Sequence, residues 1–231
     1  MKIRIKFRKQ GSMKFVGHLD MMRYFQKAMR RADVKIRYSE GFSPHQIMSF
    51  AAPLGVGITS NGEYLDIEAN EDDLKSMTDR LNQVMVEGIE VLSCRKLQDS
   101  SKNAMSIVCA ADYTLEFREG YQPKDLDEFF EKLLDFYAQE QIVITKKTKK
   151  GQKEMDLKPL IYQLRRNGEG IFMQVSTGST DNIKPELVME AFYQAKQWEY
   201  PRFTFQIQRE EVYGQDSEEM IPLEEFGEEF E

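Results

Sequence analysis

Two histidines are the only imidazoles in the chain, and both fall within its first 45 residues, at His18 and His45. Around them in sequence stand Asp20, Tyr38, Ser39, Glu40 and Ser43. An imidazole near neutral pH can give or take a proton, so His18, His45, Asp20 and Tyr38 are the candidate catalytic residues for metal-free RNA cleavage. A loop histidine is more often a hydrogen-bonded scaffold residue, so catalysis is the lesser of the readings. The two cysteines, Cys94 and Cys109, are too few for an iron-sulfur cluster. A zinc site would have to recruit both histidines from a distant segment, at a spacing no familiar pattern has. Neither a metal nor a cofactor is therefore expected, and reduced structural thiols suit a cytoplasmic protein.

Charge gives a second chemistry. Residues 1–50 hold twelve Lys and Arg against Asp20, Asp33 and Glu40, a formal charge of +9, whereas the whole chain carries -7. Such asymmetry points to a polyanion-binding face. The proposed phosphate contacts are Arg4, Lys6, Arg23, Lys27, Arg30, Arg31 and Arg37. Tyr24, Tyr38 and Phe42 are possible stacking platforms for unpaired bases, though core positions suit them as well. A second basic cluster, Lys146, Lys147, Lys149, Lys150 and Lys153, either extends the track or is a solvated hairpin. Gly55, Gly57 and Ser60 could hold a small phosphate ligand, but no Gly-Lys-Ser/Thr ending supports that.

The elements that must position these groups follow from periodicity. In KIRIKFR, Ile3, Ile5 and Phe7 alternate with Lys2, Arg4, Lys6 and Arg8, a half-buried strand with an open cationic face. Asp20 is placed to cap a helix whose apolar stripe is Met21, Phe25, Ala28, Met29 and Ala32, with Arg23, Lys27, Arg30 and Arg31 opposite. Residues 34–38 alternate like a strand. The Gly-, Pro- and Ser-rich run after Gly41 reads as a shaped loop whose middle, QIMSFA, could itself be extended. Asn61-Gly62 suggests a tight hairpin turn before another strand. A helix over 71–87, ended by Gly88, and a strand IEVLSC follow. Residues 1–97 thus order as a split βαβ, or ferredoxin-like, arrangement.

Residues 98–104 are polar and make a seam. Beyond them the order partly repeats, with strand, amphipathic helix, strands around a basic turn, strand, helix and strand. The fold expected is α+β: two ferredoxin-like modules in tandem, 1–97 and 105–213, then a flexible acidic tail, 214–231. From Glu210 to Glu231 there are ten acidic residues and no Lys or Arg. A solvated end is the simplest account, with masking of the basic surface or docking to a basic partner as alternatives. Apolar residues make up 41% of the chain, enough for a packed core, yet no run nears the roughly 20 residues that span a bilayer. No membrane association is expected.

The run from Lys14 to Asp66 resembles the radical-SAM-linked protein family of bacteria. The resemblance is carried by His18-Leu19-Asp20, the Arg-rich helix from Arg23 to Arg31, the motif loop Gly41-Phe42-Ser43-Pro44-His45, Ser49-Phe50-Ala51-Ala52-Pro53-Leu54 and Glu63-Tyr64-Leu65-Asp66. Many members have Ser where this chain has Gly17. The later half matches loosely. The resemblance implies a domain encoded beside, or fused to, a cobalamin-binding radical SAM enzyme, with ties to ribonucleases and ribosomal genes. It carries no catalytic residue.

The leading expectation is an RNA-binding accessory protein linked to a radical SAM enzyme in RNA or ribosome-related modification or processing, with tRNA or rRNA as partner. The alternatives are an endoribonuclease-like enzyme using His18 and His45, and a protein-interaction subunit presenting substrate to a radical SAM partner.

Overall fold

The computed structural model describes residues 1–148, 151–178 and 181–228, without the side chains of 146–148 and 151–153. The chain divides into two compact units, Met1–Cys109 together with Arg209–Glu231, and Ala110–Gln208.

In the first unit β1 (Lys2–Lys9) leads through a 3-10 turn, Gly11–Phe15, into α1 (His18–Arg31). There follow β2 (Met48–Phe50), β3 (Thr59–Glu68), α2 (Leu74–Val84), β4 (Ile89–Leu97) and the single turn α3 (Ala104–Ile107). β1 lies between β3 and β4 and is antiparallel to both, while β2 is antiparallel to β3. Alternation sends Ile3, Ile5 and Phe7 into a core with Met21, Phe25 and Met29 of α1 and Leu74, Met77 and Leu81 of α2. The Phe7 and Phe25 rings meet at 4.7 Å.

The second unit takes up β5 (Val108–Phe117) from Ala110 onward, then α4 (Leu126–Tyr137), β6 (Val143–Thr148), β7 (Gly151–Asp156), β8 (Ile161–Asn167), β9 (Gly170–Ser176), α5 (Pro185–Ala195) and the first residues of β10 (Phe205–Asp216). Its strands are ordered β10, β5, β9, β8, with β9 antiparallel to both neighbours. β6 and β7 pair antiparallel in a separate two-stranded sheet. The Asp125 carboxylate accepts the Glu128 N–H and caps α4. Phe129, Phe130, Leu133 and Phe136 of α4 and Val188, Met189 and Phe192 of α5 are buried. The fold class is α+β with mostly antiparallel strands.

Four expectations are corrected. The cap of α1 is Gly17, whose carbonyl accepts the Met21 N–H at 2.9 Å, so the helix starts before Asp20. Asp20 sits in the first turn, where its charge suits the helix dipole, and it pairs with Arg23. Residues 34–38 are not a strand: they make isolated bridges, Ile36 with Ala69 and Tyr38 with Gln46, because β2 takes the place beside β3. Asn61-Gly62 is not a turn but part of β3. Glycine is needed at 62 because a Cβ there would stand 2.8 Å from the Glu210 carbonyl oxygen.

The fourth correction concerns the acidic end, which is folded rather than a flexible tail as far as it is described, to residue 228. From Arg209 the chain rejoins the first unit as the rest of β10, then β11 (Glu219–Pro222), paired antiparallel to β10, and a 3-10 turn at Leu223–Phe226. Leu223 is fully buried. The physical reason is that the cations of β1 supply counter-charges and apolar residues of the segment find cover.

Candidate functional site

The even-numbered side chains of β1 set the geometry. Arg4 is 1% exposed and donates from Nε and Nη2 to both oxygens of Asp66, at 2.8 and 2.9 Å, and from Nη1 to the Leu223 carbonyl at 2.9 Å. Asp66 also accepts the Ala104 N–H at 2.7 Å, which anchors α3. Arg4 and Asp66 are cross-strand partners in the β1/β3 register, so strand pairing itself aligns the fork with the carboxylate. Two residues on, Lys6 Nζ donates to Glu211 and Glu224, each at 2.8 Å. Burial alone would lower the Lys6 pKa, but the bonds and charges of the two carboxylates outweigh it and raise it.

Opposite Lys6, the Tyr64 hydroxyl donates to Glu211 at 2.7 Å, and burial drives its pKa far up. Burial likewise works against the Glu224 charge, yet bonds from Lys6 and Ser93 and the nearby Arg95 charge bring its pKa below the usual carboxylate value. Further along, buried Arg209 holds both oxygens of buried Glu63 and donates to the Ala52 carbonyl at 2.8 Å. Nearby Lys9, with Nζ donating to the Val16 carbonyl at 2.7 Å, has its pKa lowered by burial.

Arg4 and Lys6 therefore are not open phosphate contacts. Their charges are spent on Asp66, Glu211 and Glu224, all within the first unit. The motif run around Phe50 and the Glu-Tyr-x-Asp strand serve this internal network: Ala52, Glu63, Tyr64 and Asp66 each hold one of its partners. Sequence reasoning missed Arg209 and Glu63 as a pair. They lie 146 residues apart, and the only clue was a lone arginine at the head of an acidic run.

The helix cations are disposed differently. Arg23, Lys27, Arg30 and Arg31 are all exposed. Arg23 makes a surface pair with Asp20 at 3.1 Å, a kind that contributes little. Arg31 donates to the Val84 carbonyl at 3.1 Å and lies over the Tyr24 ring. Lys27 and Arg30 form no ion pair among the described residues. Arg37, half exposed, pairs with Glu68 at 2.7 Å. The basic cluster between Lys146 and Lys153 has its side chains outside the described residues.

Of the aromatic platforms, Tyr24 is excluded. Its hydroxyl donates to Met85 Sδ and accepts the Val86 N–H, which fixes the ring against the first unit. Tyr38 is half exposed and accepts from Gln46 Nε2. Phe42 is fully exposed. It projects from a loop that opens at Gly41, whose φ of +110° favours glycine. Ser43 and Pro44, also exposed, continue the loop. Buried Gln46 donates to the Gln26 carbonyl and ties the loop to α1. Ser49 in β2 donates to Asn103 at 3.4 Å.

The histidines do not converge. His45 donates its backbone N–H to Ser39 Oγ at 3.1 Å, and that hydroxyl lies 2.8 Å from Nδ1. Both roles of the hydroxyl are thereby filled within one loop, as a staple. His18 sits at the start of α1 with its ring edge-on to Phe50 at 5.3 Å. No hydrogen bond or ring contact links the two among the described residues: His45 is bonded to Ser39, His18 meets Phe50, Asp20 pairs with Arg23 and Tyr38 is bonded to Gln46. Ser60 is buried and accepts the Gly62 N–H, which takes it out of the phosphate loop suggested with Gly55 and Gly57. No group of three or more His, Cys, Asp or Glu could hold a metal among the described residues. No helix among them is long and apolar enough to cross a membrane. Neither Cys94 nor Cys109 is in a disulfide, and the Cys109 thiol donates to the Tyr213 carbonyl at 3.6 Å.

The chain is of the α+β class, with Arg4 and Lys6 paired inside the first unit and Lys27 and Arg30 exposed on α1 outside any ion pair among the described residues, features that by themselves name no activity. It belongs to the family described as uncharacterized protein conserved in bacteria (DUF2344), which it matches over residues 2–185. No curated protein matches it.

Proposed function

We propose that the protein is an RNA-binding accessory module whose contact surface is the solvent side of α1 together with the Gly41–His45 loop. This is narrower than the strand-and-helix wall suggested by the sequence. The observation that carries it is the bare cationic side of α1, with Lys27 and Arg30 exposed and outside any ion pair among the described residues, while exposed Phe42 stands on a loop bonded to that helix. Lys and Arg supply sequence-independent affinity for phosphates, and a bare ring stacks on an unpaired base. The antiparallel order β4, β1, β3, β2 supports reading the first unit as a split βαβ module, and the order β10, β5, β9, β8 supports a second. A radical SAM enzyme as partner, and tRNA or rRNA as the nucleic acid, rest on the resemblance alone.

The test is anisotropy of labelled single-stranded RNA across a salt series, for the natural chain and the Arg23→Glu, Lys27→Glu, Arg30→Glu triple variant. Three lost phosphate contacts lower the slope of log affinity against log salt by about 2. An unchanged slope and affinity would overturn the proposal. A second reading, a protein-interaction subunit, is favoured by the exposed apolar side chains Phe15, Leu19 and Val56 around the start of α1. Copurification of a partner protein without nucleic acid would select it.

A further inference from the structure

The second unit contains a cavity of about 340 Å³ at the start of α4 that the RNA reading does not use. Its walls include Tyr121, Phe129, Tyr193 and Trp198, with Glu128 and Lys132 at the same site. Tyr121 and Trp198 keep 41% and 38% of their surface exposed. Phe129 stacks behind Trp198 at 6.4 Å and Tyr193 meets it edge-on at 6.0 Å, so the indole is held from behind. One face of it already carries a cation. Lys132 Nζ lies 5.1 Å from the ring centroid and donates to Glu128 at 2.6 Å.

The pieces match a known physical requirement. An aromatic face attracts a positive charge through its quadrupole, and the attraction grows where water is kept away. A carboxylate beside the ring adds a counter-ion. Asp125 and Glu199 also line the cavity, giving three carboxylates with Glu128 against the ammonium groups of Lys124 and Lys132. An alkylated ammonium is cheaper to strip of water than a lysine ammonium, so it competes best for such a place. At this volume the cavity suits one small head group or side chain, near the lower end of ligand pockets, which run from about 300 Å³.

We propose that this cavity binds an alkylated ammonium group, with Trp198 as the aromatic floor, Glu128 as the counter-ion and Lys132 as an internal occupant that a ligand displaces. Trp198 is the only tryptophan in the chain, so its fluorescence reports the site directly. Choline and its neutral isostere 3,3-dimethylbutan-1-ol are the probes. Choline is expected to change the emission saturably and the alcohol to leave it unchanged. Lys132→Met, which removes the occupant, is expected to tighten choline roughly three- to tenfold, and Glu128→Gln to weaken it by a similar factor.

Both changes are on the surface of α4. A trimethyllysine peptide that binds tighter than choline assigns the group to a protein partner, and the reverse order assigns it to a free small amine. Equal responses to choline and the alcohol, or an affinity that Lys132→Met leaves unchanged, would overturn the proposal.

Discussion

Replacing Arg4 with methionine keeps much of the side chain's bulk and removes the guanidinium. Asp66 then stays buried with only the Ala104 N–H, and the Leu223 carbonyl loses its donor. Removing one partner of a buried ion pair costs about 3–5 kcal/mol, because the other charge is left without compensation. For a chain of this length each kcal/mol shifts the midpoint by roughly 2–4 °C, so Arg4→Met should melt about 6–20 °C below the natural protein. Urea unfolding followed by circular dichroism measures the loss as a lower midpoint at constant slope. Asp66→Asn combined with Arg4→Met removes both charges and keeps an acceptor for Ala104. The double variant should therefore be more stable than the sum of the single losses by about 0.5–3 kcal/mol. RNA affinity of folded Arg4→Met should equal that of the natural chain. A variant within about 1 kcal/mol of the natural protein, or one that folds normally and binds RNA more weakly, would refute the assignment of Arg4 to an internal clamp.

Three further outcomes are expected. Because the Glu224 pKa is depressed in the folded state, the contribution of that carboxylate is present above the ordinary carboxylate value and is lost as pH falls through the lower folded value. Glu224→Gln should thus be less stable than the natural chain at pH 7, and the gap should close in acid denaturation profiles below both values. Gly62→Ala should lose about 1–3 kcal/mol in urea unfolding, since the added methyl meets the Glu210 backbone. Burial pushes the Cys94 thiol up to about 12, so a thiol reagent at pH 8 should leave Cys94 unmodified in native protein and label it once urea is added.

Local patterns were legible where one element decides its own fate. The alternation of Ile3, Ile5 and Phe7 and the stripe from Met21 to Met29 each named their buried face. What could not be read was the outcome of contacts far apart in the chain. The alternation in 34–38 is a strand signal, yet β2 holds the neighbouring edge of β3. Asn61-Gly62 carries turn chemistry, but the glycine answers to β10. Likewise Arg4 and Lys6 look like an open cationic face until Asp66, Glu211 and Glu224 arrive opposite them. Charge patterns in sequence record sign and spacing. Whether a cation faces solvent or a carboxylate depends on partners that local periodicity does not reveal.

The first unit is completed by the last segment of the chain, and that fixes the order of events during translation. Lys6 and Glu211 are 205 residues apart, so at 5–20 residues per second the ribosome needs roughly 10–40 s to make the second after the first. Throughout that interval Lys6 lacks both of the carboxylates that hold it in the folded chain, Glu211 and Glu224. The interior segment, Ala110–Gln208, is fully synthesised before the amino-terminal sheet receives its closing strand.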